Sequence, residues 1–511
     1  MDKQSRTYNS IMNSLFGIVA SVLVTILNFV VRVVLVRELG EEINGLHNLF
    51  QSIINVMTLM ELGISTAMII HLYAPVKEGD ELLIKGILNF YKKIYSWLSL
   101  IFTSVCLLVA FFLIDRIVTT TIPLTEVRVY FILFALSFSV NYILYYKRSL
   151  LYAEQKNRVS IIVSTGCELV FRTIQIILIF VFHQYVLFLL VTICEKIACN
   201  SICNYYVDKR FPYLKHNKES LNKEKKVAII NTVKPLFVNQ MANTVQLASR
   251  SILISILLGN VAIVGYFGNY QLILNVVQMI YGQFGGAITS SFGNLSVDND
   301  ADRMRIAYLK SSFVMNRIAI VCCACFVCVV QDFIYVVFGP NFVISLVCVF
   351  ILTINLVVYL LDIPIISVQN AMGLHRLDAW HMVIQAVCAI TLGYFLGKIW
   401  GMMGIFVGLM LPLIVFTFIR KGIVISRKAF GMSAKDYLSY IGKEFAIVLL
   451  IVTISFGVTS IIPMSPSVSS IMVKFSLSFV VSLLLIWLAS YKNPFYHEAI
   501  QMIAKMIPFR H

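Results

Sequence analysis

Charge is scarce in this sequence, and negative charge most of all. It holds 25 Asp and Glu against 41 Lys and Arg, together 13 % of 511 residues. Soluble domains carry about a quarter charged residues, so a water-facing globule is excluded. Long polar connections are missing as well. Apolar runs of about 20 residues follow one another, each long enough to cross a bilayer core. On one side of them every connection is about a dozen residues at most, which leaves no soluble catalytic loop. No paired carboxylates, nucleophile–base pair or glycine-rich phosphate loop stands out, so an enzyme is not expected and no catalytic residue is assigned. The eleven Cys lack metal-site company. Cys322, Cys323, Cys325 and Cys328 crowd one apolar run with no His or carboxylate beside them, and read as small hydrophobes. No metal and no resident cofactor is expected. A cleavable signal-peptide exit is also missing, and the first run is read as a retained anchor helix.

What the sequence does have is lipid-soluble length: 59 % hydrophobic residues and a mean hydropathy of +0.86. Fourteen spans are expected, at roughly 11–35, 46–72, 94–114, 129–146, 159–182, 186–206, 231–258, 262–288, 311–336, 343–369, 379–397, 402–419, 444–462 and 471–490. A net charge of +16 would suit a nucleic-acid binder, but its placement does not. With the N-terminus inside, 30 Lys and Arg fall in inner segments, 4 in outer segments and 7 within spans. That is the positive-inside asymmetry, so the charge is topological, both termini are expected in the cytoplasm, and nucleic acid is not a partner.

Residues 28–76 organise the rest. One apolar helix ends at Leu39-Gly40 and a second runs back, placing Arg32 and Glu61 among residues apolar enough to sit in lipid. Ionisable side chains at that depth cost at least about 2.5–3.5 kcal/mol each, and so mark a functional path. The stretch recurs about 220 residues later: Leu39-Gly40 as Leu258-Gly259, Gly45 as Gly265, and Gln51…Asn55-Val56 as Gln271…Asn275-Val276. Arg32 falls within two residues of the equivalent of Arg250. An even number of spans separates the copies, so both run in the same sense, as a parallel repeat does. The expected architecture is an all-α polytopic membrane protein of about fourteen helices. Two pseudo-symmetric six-helix lobes, 1–206 and 231–419, flank a basic cytoplasmic linker at 207–230. Spans 13–14 and an amphipathic tail fill 420–511. A two-lobed transporter with a polar, partly cationic cavity follows.

Other positions refine this reading. Segment 76–93 is either an interfacial amphipathic helix or a solvated loop. Glu168 and Arg172 stand four apart and share a helix face, as a structural pair or as cavity residues. Lys196 lies at similar depth beside Glu195. Lys234-Pro235 opens span 7, and Pro364 sits inside span 10 beside Asp362. Gly397, Gly401, Gly404 and Gly408 bracket a turn at the spacing of closely packed helices. His47 and His71 flank span 2 without evident partners and read as interfacial.

Several of these residues carry a family resemblance. Gly45-Leu46…Leu49-Phe50, Glu61-Leu62-Gly63-Ile64…Ala67, Leu72-Tyr73-Ala74-Pro75, Gly265-Tyr266…Asn269-Tyr270 and Ser290-Ser291-Phe292-Gly293-Asn294-Leu295 resemble bacterial polysaccharide flippases. These are the O-antigen or repeat-unit translocases of the multidrug/oligosaccharidyl-lipid/polysaccharide exporter superfamily. The resemblance implies translocation of undecaprenyl-diphosphate-linked oligosaccharide across the bacterial inner membrane, alongside a polysaccharide polymerase and glycosyltransferases. Similar proteins often carry an acid near the middle of span 7, where this chain has Ser249-Arg250. A cavity lined by guanidinium groups would bind a diphosphate bidentately. Arg32, Arg172 and Arg250, with Lys196 and Lys234, are therefore the candidates for diphosphate or acidic-sugar contact. Glu61, Glu168 and Asp362 are candidates for charge balance or for an H⁺ or Na⁺ coupling site. Two alternatives stay open: a peptidoglycan-precursor lipid flippase, and a multidrug or cation antiporter of the same fold. The Arg set argues against the antiporter, because a cationic cargo favours an acidic, aromatic cavity. The usual Gly-x-x-x-Asp-Arg/Lys loop of major-facilitator transporters is missing where Ala74-Pro75-Val76-Lys77 and the following residues stand.

Overall fold

The structure, a computed structural model, describes residues 6–57, 64–154, 156–214, 219–227, 229, 248–297 and 300–498. Among them it is helical, with no strand. Unit 1 (Met1–Gly265) and unit 2 (Tyr266–His511) each form a compact body. Unit 1 contains α1 (Arg6–Met57), α2 (Ile64–Glu78), α3 (Glu81–Leu108), α4 (Leu124–Tyr145), α5 (Arg148–Ala153), α6 (Asn157–Phe182), α7 (Tyr185–Arg210) and α8 (Ala248–Leu258). The long α9 (Val261–Val297) leaves it. Unit 2 adds α10 (Ala301–Phe338), α11 (Leu346–Met372), α12 (Ala379–Pro412), α13 (Gly422–Phe430), α14 (Ala434–Ser460) and α15 (Val468–Ser490). Ten helices among the described residues are long and apolar enough to cross a membrane. Large apolar side chains face outward, with Phe112 71 % and Trp380 76 % exposed. Such surface is unfavourable in water and at home against acyl chains.

Two helices bend where the sequence puts turns. Gly40 adopts φ 86° inside α1, a backbone that L side chains resist, and folds its two limbs together. Gly401 does the same in α12 at φ 59°. Beyond it, a Cβ on Gly404 or Gly408 would overlap the backbone of residues 392–397, so the two limbs pack without side chains between them. After Pro412 the chain widens into a π-helical stretch, Leu413–Lys421, as a missing backbone donor allows.

The internal repeat has a side-chain signature. Gln51 Nε2 donates to Asn55 Oδ1 at 2.9 Å, and Gln271 Nε2 donates to Asn275 Oδ1 at 2.7 Å. Its paired glycines also meet. A Cβ on Gly265 would lie 2.8 Å from Asn44 Nδ2 and 3.0 Å from the Gly45 nitrogen, and one on Gly45 would overlap the Val261 carbonyl.

Segment 76–93 differs from expectation. Asp80 caps α3 by accepting from the Leu83 amide at 2.9 Å, and the helix runs unbroken from Glu81 into span 3. Its Ile84, Ile87, Leu88 and Tyr91 are buried, and Asn89 Nδ2 reaches the Glu219 carbonyl at 2.8 Å. Core contacts on that face replace a headgroup surface. In unit 2, α15 turns a stripe of buried serines inward (Ser470, Ser478 and Ser482), small residues that let helices approach closely. Ser478 Oγ contacts Cys325 Sγ at 3.5 Å, so that cysteine packs as a core side chain.

Candidate functional site

The bend at Gly40 brings Arg32 against the returning limb. Arg32 is 8 % exposed, and its Nη2 donates to Asn48 Oδ1. Asn48 is itself held, since its Nδ2 donates to the Asn44 carbonyl at 3.0 Å and its own carbonyl accepts from Ser52 Oγ at 2.9 Å. A buried guanidinium needs fixed acceptors of this kind, because an unmet donor there forfeits its hydration.

His47 lies one residue before Asn48 and is not the isolated interfacial residue that sequence suggested. Its Nδ1 is 3.0 Å from the Tyr185 hydroxyl. Its ring sits edge-on to Phe134, Phe188 and Tyr185 at centroid distances of 5.4, 5.7 and 6.2 Å. Arg32 and Arg172 are both within electrostatic reach of it.

Arg172 approaches from α6. Its Nη1 donates to Gln175 Oε1 at 2.8 Å, while Gln175 Nε2 donates to Thr192 Oγ1 at 2.8 Å and to the Phe188 carbonyl at 3.0 Å. These bonds fix the amide's orientation, leaving its oxygen for the guanidinium. Of the two readings of Glu168 and Arg172, the structural ion pair does not form between them among the described residues. Arg172 Nη2 lies 3.9 Å from Glu195 Oε2 on α7, whose carboxylate also holds Lys196 Nζ at 2.8 Å. Glu195 is 1 % exposed, and a buried carboxylate attracts nearby cations more strongly than the half-buried Glu168 does. In unit 1, Arg172 and Lys196 thus share the Glu195 carboxylate, while Arg32 and Arg172 both lie within electrostatic reach of His47.

The remaining candidates are dispersed. Arg250 is half-buried on α8, and among the described residues nothing hydrogen-bonds or ion-pairs with it. Asp362 is 3 % exposed in unit 2 and is held by Lys421 Nζ, which the π-helical stretch turns inward. Its second oxygen, Oδ1, is buried with no hydrogen-bond partner among the described residues. Glu61 and Lys234 lie outside the described residues.

Sequence reasoning missed three arrangements. Arg148 is 7 % exposed and donates to Ser164 Oγ at 2.6 Å and to the thiols of Cys203 and Cys199 at 3.3 Å each. Arg317 Nη2 donates to both Glu444 carboxylate oxygens at 2.7 Å, and Lys474 lies 2.7 Å from Asp332. The signal for the last two was present, as charges inside apolar runs, but their partners lie more than a hundred residues away.

At the Gly40 end, Glu42 binds the 117–121 connection. Its carboxylate accepts from Thr120 Oγ1, from the Thr121 amide at 3.0 Å and from Thr121 Oγ1 at 3.0 Å. Burial acts to raise its pKa, but these hydrogen bonds outweigh it and hold the group below the ordinary carboxylate value. The same connection reaches α8 and α9: the Val261 amide donates to the Thr119 carbonyl at 3.1 Å, and Ser255 Oγ donates to the Ile117 carbonyl.

A family profile described as "Polysaccharide biosynthesis protein" matches residues 10–292. Among solved structures, an inward-facing multidrug resistance MATE family transporter of the MOP superfamily aligns with TM-score 0.66 and 14 % identity, over 79 % of this chain and 94 % of that one. The Lipid II flippase MurJ in an inward closed conformation aligns with TM-score 0.64 and 14 % identity, over 95 % and 99 %. A MOP superfamily transporter from Pyrococcus furiosus, described as having a binding pocket of reverse polarity, aligns with TM-score 0.55 and 13 % identity, over 83 % and 97 %. At such identities the likeness is one of fold. No curated protein matches the chain in sequence.

Proposed function

Because the chain belongs to the polysaccharide biosynthesis protein family, we propose that it flips undecaprenyl-diphosphate-linked oligosaccharide across the bacterial cytoplasmic membrane by alternating access. The membrane-transporter fold and the family supply the class. The cargo is our reading, and the observation that carries it is the unit 1 cluster, where Arg32 and Arg172 lie within electrostatic reach of His47 among membrane-spanning helices. A diphosphate carries charge that hydrocarbon refuses, and guanidinium groups meet it with paired donors. Arg250, with no hydrogen-bond or ion-pair partner among the described residues, is a further contact, as are Lys196 and Lys234. Glu61 and Glu168 serve charge balance or an H⁺ or Na⁺ site. Asp362, held by Lys421, likewise serves charge balance or ion coupling. Lobes at 1–206 and 231–419, cytoplasmic termini, and a polymerase and glycosyltransferases acting on the same carrier complete the proposal.

The test is genetic and chemical together. In cells that depend on this protein for surface polysaccharide, Arg32→Ala with Arg250→Ala should strand lipid-linked repeat units on the cytoplasmic side while the protein still inserts and folds. Normal polymer output from that double variant removes both residues from the mechanism. A peptidoglycan-precursor cargo is the second reading, favoured by the alignment over 95 % of this chain with a Lipid II flippase. Rescue of cells lacking their own such flippase would select it.

A further inference from the structure

Unit 1 also holds a recess, next to the arginine cluster but not lined by it. It is an open pocket of about 640 Å³ where α1 bends, α4 begins and α6 hands over to α7. That volume lies within the range of small-molecule sites. Its polar wall is Glu38, Glu126, His183 and Gln184, and its aromatic wall is Tyr130 and Tyr185. The two rings stand perpendicular with centroids 5.2 Å apart, and Tyr185 is braced by stacking on Phe188 at 5.7 Å. Glu126 is tied to the platform, since the Tyr130 hydroxyl donates to its Oε2 at 2.8 Å. No Lys or Arg lines the pocket among the described residues.

We propose that this pocket is a glycan subsite, which takes neutral or amino sugar residues of the cargo and excludes its phosphates and acidic sugars. Three features argue for it. The half-buried Tyr130 ring, backed by the buried Tyr185, offers an apolar bed for the C–H face of a pyranose, while planar carboxylate and amide groups accept and donate to its hydroxyls. His183, the left-handed C-cap of α6, closes the rim, and its Nδ1 lies 3.3 Å from Glu38 Oε2, which holds that carboxylate at the edge of the recess. The wall charge is also opposite in sign to that of the arginine cluster. A diphosphate bound by Arg32 and Arg172 finds two carboxylates here, so the pocket holds sugar without recapturing the anionic end.

Tyr185 joins the two sites. Its ring lines the pocket while its hydroxyl meets His47 beside the arginines, and it is 2 % exposed. The pocket sits at the end of unit 1 that carries few Lys and Arg, the end the charge asymmetry assigns to the exterior. A subsite there would hold the glycan on the release side.

This inference rests on the flippase reading, and separate probes keep the two apart. The full-length protein in lipid nanodiscs is titrated with maltotriose, a glucosamine trisaccharide, trigalacturonate, cadaverine and inorganic pyrophosphate. Maltotriose and the glucosamine trisaccharide should bind, with trigalacturonate at least about tenfold weaker. Val129→Trp fills the recess from its exposed edge, and Glu126→Gln removes a charged acceptor. Each should weaken maltotriose about tenfold, the loss of one charge-assisted hydrogen bond or its equivalent. Pyrophosphate affinity should stay unchanged in both. Equal maltotriose binding by wild type and Val129→Trp overturns the subsite, as does trigalacturonate binding as well as maltotriose. Cadaverine binding as tightly as the amino sugar would make it a cation site instead. Maltotriose bound without pyrophosphate condemns the flippase reading and spares the pocket; the reverse condemns the pocket alone.

Discussion

Arg32 and Asn48 stand eight residues to either side of Gly40, and the guanidinium of one donates to the amide oxygen of the other. The bend and the ionic site are therefore one device. The glycine that turns the chain back also lays down the acceptor that makes a buried Arg tolerable. Asn48→Ala leaves that guanidinium an acceptor short, at about 1–3 kcal/mol. The expected outcome is a lower Tm in detergent and reduced polymer output, with Asn48→Asp restoring the former.

Close approach at Gly45 and Gly265 sets a ranking. A Cβ at Gly45 meets backbone, whereas one at Gly265 meets the Asn44 side chain and the Gly45 nitrogen at 2.8 and 3.0 Å; at Gly166 there is open space. Gly45→Ala should therefore destabilise most, by about 1–3 kcal/mol or more as overpacking does. Gly265→Ala should follow, and Gly166→Ala should be neutral or stabilising by up to about 1 kcal/mol. Thermal unfolding of the three purified variants checks the order.

Glu42 makes stability depend on pH with a definite sign. Its folded pKa lies below its unfolded value near 4.5, so its contribution is present above that value and is lost as pH falls through the folded pKa. Glu42→Gln should lower Tm at neutral pH, and the gap to wild type should close on acidification below the ordinary carboxylate range. A gap that widens in acid contradicts the assignment.

The Asp362–Lys421 pair separates structure from coupling. Removing one partner strands a buried charge, and Asp362→Ala should cost about 3–5 kcal/mol. Asp362→Leu with Lys421→Met should recover most of that stability, because an apolar pair of similar volume replaces an ion pair at little cost. If transport survives in the double variant, the pair balances charge and nothing more. Loss of transport with a normal Tm would make Asp362 part of ion coupling.

Local and periodic features were legible in the sequence. Apolar runs, the Gly40 and Gly401 turns and the repeated Gln-x-x-x-Asn step all depend on residues within a few positions of one another, or on a fixed offset. Arg32 and Arg172 were found because charge inside an apolar run is visible without a partner. Partners were not legible. His47 meets Tyr185 138 residues away, Arg317 meets Glu444 127 away, and Arg148 finds its thiols on α7. The i,i+4 rule put Glu168 and Arg172 on one face but left open whether they pair, since it could not weigh the more buried Glu195 on a neighbouring helix.

The most direct test follows a fluorescent undecaprenyl-diphosphate oligosaccharide in proteoliposomes, scoring the fraction that reaches the opposite leaflet. Wild type should move it, and Arg32→Ala with Arg172→Ala should not, while the folded variant retains its helical content and Tm within a few degrees. Transport by that variant at the wild-type rate would contradict the claim that these guanidinium groups hold the diphosphate.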